Sequence, residues 1–101
     1  MVDPIGTGAG SALWRREIMK TIAIKADEAL WQNNMLPEGV VVRWFVADGE
    51  LARAGHRVAE IRIEGALHDI VAPADGRVKI ELGASSVIEP GSLLATLASA
   101  T

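Results

Sequence analysis

The chain has 101 residues, of which 50% are hydrophobic and 23% are charged, enough apolar material for one core and too little charge for disorder. It contains no cysteine, which excludes disulfides, thiolate nucleophiles and cysteine-based zinc or iron–sulfur sites. Acidic and basic residues are interspersed at a net charge of -3, so no basic patch indicates a nucleic acid partner, and no apolar run approaches the roughly 20 residues of a membrane helix.

The first 18 residues are predicted to form a flexible N-terminal extension that precedes one domain over residues 19–99. Three glycines and a proline fall within the first ten residues, a composition typical of mobile tails. Ser11 is also a candidate cap for a short helix that would dock on the domain through Trp14, so both a tail and a docking turn are compatible with the sequence. Because the N-terminus lacks the basic start and long apolar stretch of a secretory signal, a cytoplasmic location is expected.

From Lys20 onward the sequence acquires a period of two, which is typical of β-strands. A polar loop that runs through Asn33 and Asn34 follows the first strand, and glycine-containing turns separate most of the later ones. The spacing of these turns, with no long helical period, favours an all-β sandwich or barrel. The predicted strands cover residues 21–24, 40–46, 58–63, 67–71, 77–82 and 93–97.

Alternation within these strands predicts which side chains face the core. In the strand over residues 58–63 it places Val58 on the opposite face from Ala59, and it assigns Trp44 to the core. Trp31 lies in the polar loop, where it is expected either to plug one end of the barrel or to belong to a partner surface.

An internal repeat relates the two halves of the domain. Gly39 opens one strand and Gly55 precedes another, and Gly76 and Gly91 occupy the same places 37 and 36 residues later. Two similar β units predict a pseudo-two-fold structure in which neither half buries its core alone.

Histidines and acidic residues provide few candidates for a metal site. His56 follows the turn at Gly55, and His68 precedes Asp69. A metal site needs three or four converging ligands, so these residues would have to recruit Glu64 or a distant side chain. Surface histidines are therefore expected, and no metal ligand is predicted.

Two other motifs were tested for catalytic chemistry. Ser85-Ser86 has no histidine or acidic partner at a spacing suited to a serine nucleophile. The glycines within residues 6–10 follow no predicted strand and precede no Gly-Lys-Ser/Thr, so they do not form a phosphate loop. No catalytic residue is predicted.

Several segments together resemble a lipoyl domain. Residues 38–50 contain its Glu-Gly, Trp and Asp-Gly-Glu pattern, residues 54–61 and 72–78 resemble the middle of the domain, and residues 91–95 resemble its closing strand. The similarity covers roughly residues 20–98 and identifies the chain as a relative of the lipoyl/biotinyl-attachment domain family. It implies a flattened β-barrel, or barrel-sandwich hybrid, of two pseudo-symmetric four-stranded halves.

In that family a ligase attaches lipoate or biotin to one lysine at the tip of a hairpin. Counting back seven residues from Ala72 places this position at Gly65, in a tip formed by Glu64, Gly65 and Ala66. Glycine has no amine with which to form the amide, so the resemblance implies that no lipoyl or biotinyl group is attached here. A Glu-Gly pair is also suited to a two-residue turn, because glycine readily adopts positive φ.

The three lysines, Lys20, Lys25 and Lys79, all lie outside the predicted tight turns. The resemblance therefore implies a non-enzymatic binding or accessory module whose protein partner belongs to a 2-oxo acid dehydrogenase-type or other acyl- or carboxyl-transfer system. Two alternatives are open: a genuine lipoyl or biotin carrier modified at one of these lysines, and the structural hairpin of a membrane-fusion transport adaptor. In such adaptors a long helical insertion usually separates the half-motifs, whereas a hairpin alone joins residues 61 and 72 here.

Overall fold

The computed structural model describes residues 19–100, so the predicted extension over residues 1–18, with its Ser11 cap and Trp14 anchor, lies outside the described part. That part consists of antiparallel strands and one short 3-10 helix at Glu28–Trp31. The strands are β1 (Met19–Lys25), β2 (Gly39–Trp44), β3 (Leu51–Ala52), β4 (Arg57–Ile63), β5 (Ala66–Val71), β6 (Gly76–Ile80), β7 (Val87–Ile88) and β8 (Leu93–Ala100).

The strands form two four-stranded sheets that pack as a flattened barrel. Sheet A has the order β1-β8-β6-β3, and sheet B has the order β5-β4-β2-β7. Exchanging each strand for the one four places away in the chain converts one order into the other. This is the pseudo-two-fold arrangement that the repeat predicts, and it confirms the all-β fold with two pseudo-symmetric four-stranded halves.

The sequence pattern alone missed β3 and β7, which have two residues each and lie at equivalent edges of the two sheets. A period of two cannot be recognised in so short a segment. It also missed the 3-10 helix in the polar loop, where the carboxylate of Asp27 accepts a hydrogen bond from the Ala29 amide at 2.9 Å. This is the usual geometry of an N-cap, and Asp27 is its sequence signal.

The core lies between the sheets, and the prediction for Val58 is wrong. Val58 and its neighbour Ala59 are both fully buried, because a β-bulge between Arg57 and Ala59 turns two consecutive side chains inward. The equivalent irregularity in β8 buries Leu94 and Ala95 in the same way. The largest fully buried side chains are Ile61, Ile63, Ile88, Leu94, Leu97, Val41, Val58 and Val78.

Both tryptophans of the described part pack on the core, but to different depths. Trp31 is 6% exposed and belongs to the core cluster, and its indole donates a hydrogen bond to the Glu38 carbonyl at 3.2 Å. Trp31 therefore packs inside the barrel and does not belong to an exposed surface that could contact a partner. Trp44 is half-buried and packs against the edge of the core, and its indole donates to the Leu82 carbonyl at 2.9 Å.

Two equivalent glycines let neighbouring strands approach closely. A Cβ atom at Gly76 would overlap the backbone carbonyl of Ala98 in β8, and one at Gly39 would lie 3.1 Å from the carbonyl oxygen of Arg62 in β4. Because backbone atoms are the obstacle at both positions, a side-chain rotation cannot make room for a larger residue.

The close approach of β6 and β8 can be tested with Gly76→Ala. We expect a loss of about 2–3 kcal/mol in the free energy of unfolding, because the two backbones must separate to admit the methyl group. Gly83→Ala is the control, since nothing lies within 4 Å of a Cβ at that residue. Urea titrations followed by tryptophan fluorescence give both values, and equal losses would contradict the close approach.

Candidate functional site

The candidate site is the hairpin tip that joins β4 to β5. Ile63 pairs with Ala66, and the two residues between them, Glu64 and Gly65, have φ values of 49° and 92°. Positive φ at both central residues is characteristic of the type I′ turn, whose twist matches that of the flanking strands. The predicted tip is therefore a tight two-residue turn at one end of sheet B.

Glycine at residue 65 is favoured by the backbone conformation and not by crowding. Nothing lies within 4 Å of a Cβ built on this residue, in contrast to Gly76. A side chain at residue 65 would therefore project into open space from the end of the hairpin, at the modest cost of left-handed backbone strain.

A hydrogen bond braces the tip against the segment that leads into β2. The backbone amide of Leu36 donates to Oε2 of Glu64 at 2.8 Å, across 28 residues of sequence. This contact places Met35 and Leu36, which are 93% and 59% exposed, beside the hairpin. Their signal in the sequence is an apolar pair within a polar loop, which strand periodicity does not reveal.

The tip, this segment and β7 enclose a shallow groove of about 260 Å³. Cross-strand pairing aligns Val87, Val40, Arg62 and Leu67 in one row over sheet B, directly behind the turn. Val87 and Leu67, at the ends of the row, are 66% and 57% exposed. We call the resulting patch the tip surface and define it by Leu36, Glu38, Arg62, Glu64, Leu67 and Val87.

The three lysines all lie in strands of sheet A, away from the tip. Lys20 pairs with Ser99, Lys25 is the last residue of β1, and Lys79 is exposed in the middle of β6.

The other candidate side chains are dispersed. His56 lies in the turn before β4, and His68 is half-buried in β5. Asp69, next to His68, forms an ion pair with Arg57 at 3.7 Å, and Glu64 is engaged with Leu36. Within residues 19–100 no three histidine, aspartate or glutamate side chains come close enough to hold a metal ion.

Ser85 and Ser86 form a turn in which their backbone groups bond to Val41. None of the helical structure in the described range is long and apolar enough to cross a membrane.

The brace between the tip and β2 can be tested with Glu64→Ala. We expect the stability to fall by about 0.5–1.5 kcal/mol and the Leu36 amide to exchange its hydrogen several-fold faster, because the amide loses its acceptor. Hydrogen exchange followed by NMR measures the amide directly. Glu38→Ala removes a neighbouring carboxylate that does not bond to Leu36, and an equal effect of both variants would argue against the brace.

The chain resembles known proteins both in sequence and in structure. A biotin/lipoyl family model described as "Biotin-requiring enzyme" matches residues 33–97, more than half of the chain. Among solved structures, the chain is similar to the lipoyl domain of the 2-oxoglutarate dehydrogenase complex from Azotobacter vinelandii, with 24% identity and a TM-score of 0.55 over 61% of this chain and 80% of that chain. Identity at this level shows the fold alone. No curated protein matches the chain significantly.

Proposed function

The chain belongs to the biotin/lipoyl attachment domain family, and on that premise we propose that it is a non-acylated binding module of a 2-oxo acid dehydrogenase-type or other acyl- or carboxyl-transfer system. Carrier domains of this family are themselves non-catalytic. The observation that carries the proposal is the glycine at residue 65, in the hairpin turn that joins β4 to β5.

The tip does not fit the covalent attachment of lipoate or biotin. Attachment forms an amide with a lysine amine, and family resemblance assigns that lysine to the tip of this hairpin. Here the turn consists of Glu64 and Gly65, and neither has an amine. Residue 65 is sterically open, so a ligase could reach a side chain there. What prevents attachment is the lack of an amine.

The alternative of a carrier modified elsewhere finds no support in the geometry. Lys20, Lys25 and Lys79 belong to paired strands, so a ligase that recognises a projecting turn would meet a sheet surface at each of them. The adaptor alternative is not favoured either, because a two-residue turn joins the strands where adaptors usually carry a long helical insertion.

A binding role is supported by the order that the tip retains. The turn is of the type that fits its strands, Glu64 braces it to Leu36, and large apolar side chains remain exposed around it. Exposed apolar groups grouped in this way are characteristic of surfaces that contact other proteins.

Acylation can be tested directly with a lipoate ligase, lipoate and ATP. We expect no change in the mass of the wild-type chain and one lipoyl adduct on Gly65→Lys, because that substitution restores an amine at the tip. Gly49→Lys is the matched control: Gly49 also has a positive φ of 87° and open space around it, but it lies outside the hairpin.

A lipoyl adduct on the wild-type chain would contradict the proposal that this module is not acylated. Failure of Gly65→Lys to react, or equal reaction of Gly49→Lys, would show that residue 65 does not correspond to the modified position of the family.

Membership of an acyl-transfer assembly can be tested by competition. Reductive acylation of a free lipoylated domain by the dehydrogenase component of a 2-oxoglutarate dehydrogenase complex is measured with increasing amounts of the chain. Since the chain retains the domain's shape and cannot accept the acyl group, we expect inhibition that is half-maximal at about 10–100 µM, as for weak transient interfaces. No inhibition in this range would contradict this choice of assembly.

A further inference from the structure

We propose that the tip surface is the interface between two copies of this chain, related by a two-fold axis. The inference rests on the proposed function in one respect: a carrier must keep its tip free so that the attached arm can reach other active sites. A module without the arm has no such requirement, so a second copy can cover its tip reversibly.

The first support is an apolar row that the fold itself does not require. In sheet B the row is Val87, Val40, Arg62 and Leu67. The equivalent row in sheet A, related by the pseudo-two-fold, is Leu51, Arg77, Ala98 and Thr21. Because the same strand arrangement forms with Arg77 and Thr21 in place of Val40 and Leu67, folding alone does not require apolar side chains at these two positions.

The second support is the distribution of charge on sheet B. Arg43 forms an ion pair with Glu60 at 3.3 Å, and Arg57 forms one with Asp69 at 3.7 Å. Arg62, by contrast, forms no ion pair within residues 19–100. It lines the same groove as two carboxylates, those of Glu38 and Glu64.

A surface with both signs of charge is complementary to itself. A two-fold rotation brings Arg62 of one copy towards the tip carboxylates of the other, and the same pair forms a second time by symmetry. Val87 and Leu67, which lie at the two ends of the row, then face each other across the interface, and water is excluded from them. A strongly acidic or strongly basic partner would instead oppose one of the two charges.

Within residues 19–100, the two ends of the chain lie far from this contact. Met19 pairs with Ala100 in sheet A. Residues 72–75 lead from the end of β5 that is remote from the tip to Gly76, and Gly76 packs on Ala98, close to Ala100. The ends of the described chain therefore lie at the opposite end of the barrel from the tip. Two copies of the described part, residues 19–100, can therefore meet through their tips without involving Met19 or Ala100.

The proposal is tested by sedimentation equilibrium of the full chain at about 1–200 µM, a range suited to standard and weak interfaces. We expect reversible association from the 10.7 kDa monomer to a dimer. Val87→Asp should raise the dissociation constant roughly tenfold or more, because the interface would then bury an unpaired carboxylate. Leu51→Asp is the matched control, because Leu51 is 64% exposed in the equivalent two-residue edge strand, and it should leave the constant within about twofold.

The charge pairing is tested in the same instrument. Arg62→Glu and Glu38→Arg should each weaken the dimer several-fold, and the double variant should recover much of the loss because the two charges are exchanged. Circular dichroism confirms that each variant is folded.

A monomer throughout the range would overturn the proposal and would leave the tip surface to another protein. Equal effects of Val87→Asp and Leu51→Asp would likewise overturn it. The ligase assay and the sedimentation experiment test different proposals. A lipoyl adduct on the wild-type chain would refute the proposed function, whereas it would not change whether the chain sediments as a monomer or as a dimer.

Discussion

The structure depends on the interleaving of its two halves. Each sheet takes two strands from the first half of the domain and two from the second, so neither half has a complete sheet or a covered apolar face by itself. The pairing of β1 with β8 joins the two ends of the described chain, and the pairing of β4 with β5 is its counterpart at the centre. Folding is therefore expected to be cooperative, because the core forms only when both halves are present.

The two ends of the barrel differ in structure, although the strands behind them are related by the pseudo-two-fold. The β4–β5 pair is closed by a tight turn, while the equivalent β1–β8 pair ends at Met19 and Ala100. One end thus presents a hairpin tip of fixed shape, and the other presents two separate chain ends. A projecting turn suits recognition by a ligase or another protein, since its backbone geometry is set by the strands behind it.

At that tip a single side chain decides the chemistry. The strands, the turn and the space around residue 65 are all compatible with a projecting side chain, yet the residue is glycine. The fold of the biotin/lipoyl family is therefore combined with a glycine at this residue, and a fold alone does not establish an activity. The exposed apolar residues near the tip, and Arg62, which forms no ion pair within residues 19–100, support a contact surface there.

The sequence by itself determined the strands with a clear period of two, the turns between them, the repeat of glycines and the absence of an amine at residue 65. These features are local, so composition and spacing are enough to recognise them. The tertiary structure decided the rest. Val58 is buried because of a bulge that depends on register with β5, and β3 and β7 exist as strands only through their pairing with β6 and β2. The tip surface likewise joins Leu36 to Glu64 across 28 residues, and no local pattern encodes such a contact.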